Sequence, residues 1–180
     1  MITPAGKLAL EMLVGDQTIL NLAREVTAAI EASGAEGGVI GGIAVFLHGY
    51  ERTTTDIDVY TTDRAALAEQ LTQRGFVWSD ERRQFEKNDI PVQLLAPEDK
   101  LPYYPKRFRS LHDIQTLTLG ELVTMKLSTG TEFVHRAQDL ADVIRLIEAI
   151  PLDKSFVTQI DTAYRSAFKK LIDDLVQERG

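Results

Sequence analysis

The chain has 180 residues with 44% hydrophobic and 26% charged side chains, a composition that suits one soluble domain with a real core. It contains no cysteine, which excludes disulfides and thiolate metal sites. A net charge of -7 argues against a general nucleic-acid coating protein, because such proteins gain affinity by neutralising phosphates.

No apolar run is long enough to span a bilayer, and Met1 to Leu20 lacks the basic start and apolar stretch of a signal peptide. A cytoplasmic protein without membrane contact is expected. The first helix is expected over Thr18 to Ser33, where Ile19, Leu22, Ala23, Val26 and Ile30 recur at helical spacing and Gly34 caps the end. Gly37-Gly38 is expected to turn the chain into a short strand, Val39-Ile40. Gly41-Gly42 follows, then a short helix over Ile43 to Leu47 closed by Gly49. Ile57, Val59 and Tyr60 predict a strand, and Asp63 caps a helix from Arg64 to Arg74 that ends at Gly75.

Phe76 to Ser79, Gln84 to Lys87 and Ile90 to Leu95 predict antiparallel strands. Ala96 to Thr116 reads as loop, broken by Pro97, Pro102 and Pro105. Thr118 and Glu121 form a capping box for a helix through Leu127, and a second helix covers Ala137 to Ala149 with Leu140, Val143, Ile144 and Ile147 on one face. After Pro151, Asp153 starts one long amphipathic helix carrying Phe156, Ile160, Ala163, Tyr164, Ala167, Leu171 and Leu175. This is an α/β (α+β) layout: a small mixed sheet covered by helices, followed by C-terminal helices. Residues 1–150 are expected to form the main domain, with 151–180 packed on it.

Two features together point to chemistry. Val39-Ile40-Gly41-Gly42 is followed after thirteen residues by Asp56-Ile57-Asp58-Val59. Residues two apart in a strand share a face, about 6.5–7 Å apart along the chain, so Asp56 and Asp58 can converge. Magnesium takes one or two carboxylates together with substrate phosphates. Bare backbone N–H groups at a glycine turn attract phosphate, and glycine permits its close approach.

The run Gly41-Gly42-Ile43-Ala44, His48-Gly49 and Arg52-Thr53-Thr54-Thr55-Asp56-Ile57-Asp58 resembles the polymerase-beta-like nucleotidyltransferases. It looks most like their small prokaryotic branch, which includes the abortive-infection toxin and minimal nucleotidyltransferases. Leu122 to Leu127 with Lys126, then Arg136 and Asp139-Leu140-Ala141-Asp142-Val143, support it. The resemblance covers roughly residues 35 to 150.

It implies the nucleotidyltransferase fold and transfer of a nucleoside monophosphate from a magnesium-bound nucleoside triphosphate to an acceptor hydroxyl. The acceptor stays open among RNA, protein and a small molecule. A toxin role would bring an antitoxin partner. Asp56 and Asp58 would be catalytic and hold metal. Gly41, Gly42, Arg52, Thr53 and Lys126 would bind the nucleotide, and Asp139 would stand behind them.

One position departs from the family. Its third acidic residue corresponds to Gln93 in Val92-Gln93-Leu94-Leu95, and an amide cannot take a proton as a carboxylate does. The alternative is therefore a nucleotide- or partner-binding module without turnover. Arg136 and Asp139 also read as an ordinary i, i+3 ion pair. His48, His112 and His135 have no metal-ligand spacing, and His48 is expected to hydrogen-bond or pack near the site. Lys100 to Arg109 interleaves basic and aromatic residues; the favoured reading is a surface loop with inward aromatics, the other an acceptor nucleic-acid contact.

Overall fold

The structure is a computed structural model that describes residues 18–133 and 136–178. His135 and the segment before Thr18 lie outside the described residues. Helix α1 (Thr18–Ser33) leads to strand β1 (Gly37–Ile40), the short helix α2 (Gly41–Leu47) and strand β2 (Ile57–Thr61). Helix α3 (Arg64–Gln73) precedes three strands, β3 (Val77–Ser79), β4 (Gln84–Lys87) and β5 (Ile90–Leu95). A hairpin of β6 (Phe108–Leu111) and β7 (Ile114–Leu117) comes next, then α4 (Leu119–Glu132), α5 (Ala137–Ala149) and α6 (Arg165–Glu178).

The strands form one mixed sheet in the order β3-β4-β5-β2-β1-β7-β6. β2 runs antiparallel to β1 and parallel to β5, so the register places Asp58 between Ile40 on one side and Gln93 on the other. Alternation then divides the faces. Val39, Ile57, Val59 and Val92 pack with α1 and α3 through Ala23, Val26, Ile30, Leu67 and Leu71. Ile40 and Tyr60 join a second core with Leu122, Leu127, Val143, Leu146, Phe156 and Phe168 from the C-terminal helices. Asp58 alternates with Ile57 and Val59, so it stands on this second face, where sheet and C-terminal helices meet.

Local chemistry accounts for several boundaries. The Asp63 carboxylate accepts from the Ala66 amide, 2.9 Å away, and starts α3. Gly34 takes φ +71° and ends α1, as expected of a C-terminal cap.

Four expectations are corrected. Gly37-Gly38 lies inside β1 rather than forming a turn: a Cβ on Gly37 would meet the Tyr60 carbonyl at 2.4 Å, and one on Gly38 the Phe108 ring at 2.8 Å. The end of the expected 96–116 loop is the β6–β7 hairpin. Its turn residues His112 and Asp113 both take positive φ, 51° and 63°, in place of the usual glycine-containing pair. Helix α4 runs past Leu127 to Glu132, stabilised by Thr129 and Thr131 hydroxyls bonded to carbonyls one turn back. The long last helix is instead two 3₁₀ segments (Lys154–Gln159 and Thr162–Tyr164) and α6. Asp161 makes the break: its carboxylate accepts from the Ala163 amide, and its own amide donates to Thr124 Oγ1. No helix among the described residues is long and apolar enough to cross a membrane.

Candidate functional site

The Gly41-Gly42 corner and the two aspartates are built as one unit. Gly41 takes φ +65°, and a Cβ there would lie 2.1 Å from Asp58 Oδ2. Both the backbone conformation and the close approach of the carboxylate therefore demand glycine. A Cβ on Gly42 would lie 2.7 Å from Thr54 Oγ1. That hydroxyl donates to Asp56 Oδ1 at 2.8 Å. One glycine thus makes room for Asp58, and the other for the threonine that orients Asp56.

Asp56 sits just before β2 and Asp58 within it. Neither carboxylate has an ion-pair partner among the described residues. Burial pushes Asp58 up to about 6, the Asp56 charge adds to the shift, and Lys126, Arg136 and Arg52 offset part of it. Gln93 is exposed, and its backbone pairs in register with that of Asp58.

Asp58 opens on a cavity of about 320 Å³. Gly41, Gln93, Lys126, Arg136 and Asp139 contribute to its polar walls, and Leu95, Leu101, Pro102, Leu122, Met125 and Phe133 form the apolar remainder. A volume of this order suits a small organic ligand.

A second charge cluster backs this cavity. Lys126 is 6% exposed, and its Nζ donates to Asp139 Oδ1 and Asp142 Oδ2, both at 2.7 Å. Asp139 also accepts from Thr129 Oγ1 and Arg136 Nε. Asp142 accepts from Gln138 Nε2 and from Arg52, which reaches it from the segment before Asp56. Three cations face two carboxylates, leaving one positive charge in excess beside Asp58.

The expected site residues therefore fall into two groups. Gly41, Gly42, Asp56 and Asp58 converge at one corner. Lys126 lines the cavity with Asp58, but its ammonium is already held by two carboxylates. Arg52 is tied to Asp142, and Thr53 is exposed. Arg136 pairs with Asp139 as expected, yet its side chain is also 51% exposed and lines the cavity.

The sequence reading gave Asp142 no role, and nothing in residue type or spacing distinguishes it from the other acids of α5. Glu121 is also more than a helix-cap residue. It is 1% exposed, and its carboxylate accepts from Tyr103 Oη, the Lys106 amide and Arg107 Nε at 2.8, 3.0 and 2.9 Å. It ties the 100–107 segment to α4, while Leu101 and Pro102 of that segment wall the cavity. Tyr103 is buried and Phe108 stacks on Tyr60, so those two aromatics turn inward; Tyr104 stays 38% exposed. His48 Nε2 lies 2.8 Å from the Leu117 carbonyl. Burial lowers its pKa, outweighing the raising effect of that bond, and Arg109 lowers it further. A neutral imidazole donating to Leu117 follows.

Magnesium fits the donor chemistry. Asp56 and Asp58 supply hard oxygen ligands, and this ion binds through one or two carboxylates completed by phosphate and water. No third acid or histidine joins them in a metal-binding group among the described residues. The two carboxylates thus offer a partial donor set for one such ion.

No family model matches the chain, and no curated protein sequence matches it. Among the solved structures that resemble it, two do so over most of their lengths. One is an antigenic nucleotidyltransferase-like protein from Paracoccidioides brasiliensis, with a TM-score of 0.55 and 14% identity over 91% of this chain and 89% of that one. The other is the antibiotic-resistance factor ANT(2'')-Ia, with a TM-score of 0.53 and 14% identity over 91% of this chain and 98% of that one. With the Gly-Gly corner, the paired aspartates and the mixed sheet, this likeness assigns the chain the nucleotidyltransferase fold.

Proposed function

We propose that the chain binds a magnesium-bound nucleoside triphosphate at the Gly41–Asp58 corner and transfers its nucleoside monophosphate to an acceptor hydroxyl. The observation that carries this reading is the packing of the Asp58 carboxylate on Gly41, with no cation among the described residues bonded to it, at the mouth of a cavity of about 320 Å³. Asp56 and Asp58 hold the metal, which when bound neutralises phosphate charge. Gly41 and Gly42 offer backbone N–H groups to the triphosphate, with Arg52 and Thr53 beside them. Arg136, exposed on the cavity wall, is the cation best able to meet phosphate. Lys126 contributes from behind, as one of three cations whose charge exceeds that of Asp139 and Asp142. The apolar wall of Leu95, Leu101, Leu122 and Met125 receives the base or sugar.

In the reaction the acceptor oxygen forms a bond to the α-phosphorus. The bond to the bridging oxygen breaks, pyrophosphate leaves, and the acceptor proton passes to solvent. Positioning of the acceptor and stabilisation of the charge developing on the α-phosphate and on the leaving pyrophosphate carry the reaction. Gln93 Oε1 serves by accepting the hydrogen bond of the acceptor hydroxyl and orienting it. Calorimetric titration of ATP, GTP, CTP and UTP with magnesium tests the reading. Binding of at least one, lost in Asp58→Ala, is expected; no binding of any would contradict it.

Gln93 favours a second reading, a nucleotide-binding module without turnover. Transfer of label from α-³²P nucleotides, measured in the native chain and in Gln93→Asp, separates the two. Native transfer abolished by Asp58→Ala rules out the module; transfer only in Gln93→Asp establishes it. The toxin role implied by the sequence resemblance belongs to the first reading. It predicts growth arrest on expression, relieved by Asp58→Ala or by a cognate antitoxin.

A further inference from the structure

A second cavity, of about 740 Å³, has no part in the reading above. Arg64, Ala65 and Ala68 of α3 line it, with Trp78, Arg83, Phe85 and Leu94 from the adjoining strands and turn. Leu94 has the parity of Val92, so this cavity opens on the sheet face opposite Asp58 and Gln93. Glu98 and Asp99 complete it, and Asp99 also borders the first cavity.

Three features of this cavity call for a ligand. Trp78 is 46% exposed, yet it is fixed: its ring meets Phe85 edge-on at 5.1 Å and its Nε1 donates to Asp80 at 2.7 Å. An immobilised, half-exposed indole is a ready stacking surface, because its order is already established. Second, Arg64 Nε is the one buried side-chain polar atom among the described residues that has no hydrogen-bond partner. The other end of that guanidinium is occupied by Asp99 and the Leu94 carbonyl. The guanidinium is thus fixed at the cavity edge, with its Nε enclosed by protein. Third, Arg83 has no ion-pair partner among the described residues, and its φ of 54° shows that the turn holds it in an unfavourable backbone conformation. Ala65 and Ala68 leave a low floor between these groups.

We propose that this cavity is a second ligand site that takes a nucleoside monophosphate. Its base stacks on Trp78 over the alanine floor, beside the Arg64 guanidinium, and its phosphate meets Arg83. Glu98 also lines the cavity without a cation partner among the described residues, and its charge selects one phosphate over a triphosphate. The site is independent of the Asp58 corner and does not require that corner to be catalytic.

Trp78 is the chain's only tryptophan, so its emission reports on this cavity alone. The experiment titrates AMP, GMP, CMP and UMP without magnesium, exciting the indole selectively. Saturable quenching by at least one of them is expected. It should weaken at least tenfold in Ala68→Phe, which fills the floor, and in Arg83→Asn, which removes the cation proposed to meet the phosphate while tolerating the positive φ. It should be unchanged in Asp58→Ala. No quenching by any of the four, equal quenching in Ala68→Phe, or loss of quenching in Asp58→Ala would each overturn the proposal.

Discussion

Aspartates occur in two neighbouring regions of this molecule under opposite regimes: buried where α4 meets α5, half-buried at the glycine corner. On α4 and α5, Asp139 and Asp142 are saturated with partners, sharing Lys126 and binding Arg136, Arg52, Thr129 and Gln138. Burial would raise Asp139, but Lys126, Thr129 and Arg136 overcome it and hold its carboxyl below the usual range. At the β1–α2 corner, Asp58 has a glycine against it and another carboxylate nearby, and burial pushes it up to about 6. The same residue type is thus stabilised as an anion in one region and destabilised as an anion in the other. A satisfied network maintains structure, whereas an unsatisfied acid in a cavity is poised to bind a cation. The first region also supports the second, because its excess positive charge keeps Asp58 from rising further.

The largest expected effect comes from breaking the satisfied region. Lys126→Met leaves two buried carboxylates without their shared ammonium, and a loss of about 3–5 kcal/mol in urea-unfolding stability is expected. A loss under about 1 kcal/mol would show that Arg52 and Arg136 suffice, and would weaken the distinction between the two regions.

The second prediction acts on the corner with the opposite sign. In the native protein Asp58 titrates near 6, above the unfolded value of 3.8. The folded state therefore holds this proton more tightly than the unfolded state does. Its contribution to stability is present below about pH 4 and is lost as pH rises toward about 6. Asp58→Asn removes that loss. At pH 7 and without ligand it should be more stable than the native chain by up to about 3 kcal/mol, and near pH 3.5 the gap should close. A pH-independent difference would place its cause elsewhere.

Gly41→Ala is next. A left-handed backbone conformation costs a non-glycine residue about 1–2 kcal/mol, and the new methyl must also displace the Asp58 carboxylate. Thermal denaturation should show a loss of that order, accompanied by loss of nucleotide binding. A variant that loses stability but binds normally would separate the glycine from the site. The smallest effect is expected at Arg145–Glu148, an exposed i, i+3 pair at 3.0 Å. Arg145→Ala should change stability by no more than about 0.5 kcal/mol.

The sequence disclosed the corner more fully than its support. Gly41, Gly42, Asp56 and Asp58 lie within eighteen consecutive residues, so the corner was legible locally, although Asp56 stands in the bend before β2 and not in the strand itself. Helix caps such as Asp63 and Gly34 were legible because a single residue type performs the task. Asp142 was not, because its meaning depends on Arg52 and Lys126, respectively 90 and 16 residues away in sequence. Glu121 matched a capping box, but the Thr118–Glu121 bond is only its backbone half, and tertiary contacts claim its carboxylate. The β6–β7 hairpin escaped notice because prolines precede it and its turn pair is His112-Asp113. The last helix read as continuous because Asp161 interrupts an apolar pattern that continues on both sides of it.

The most direct test of the contrast is the melting temperature of the native chain and Asp58→Asn at pH 7, each with and without magnesium and the four nucleoside triphosphates. The account predicts a variant that melts higher when empty and does not respond to ligand, beside a native chain whose melting temperature rises with at least one nucleotide. Equal melting of the two empty proteins, together with equal ligand-induced shifts, would contradict it.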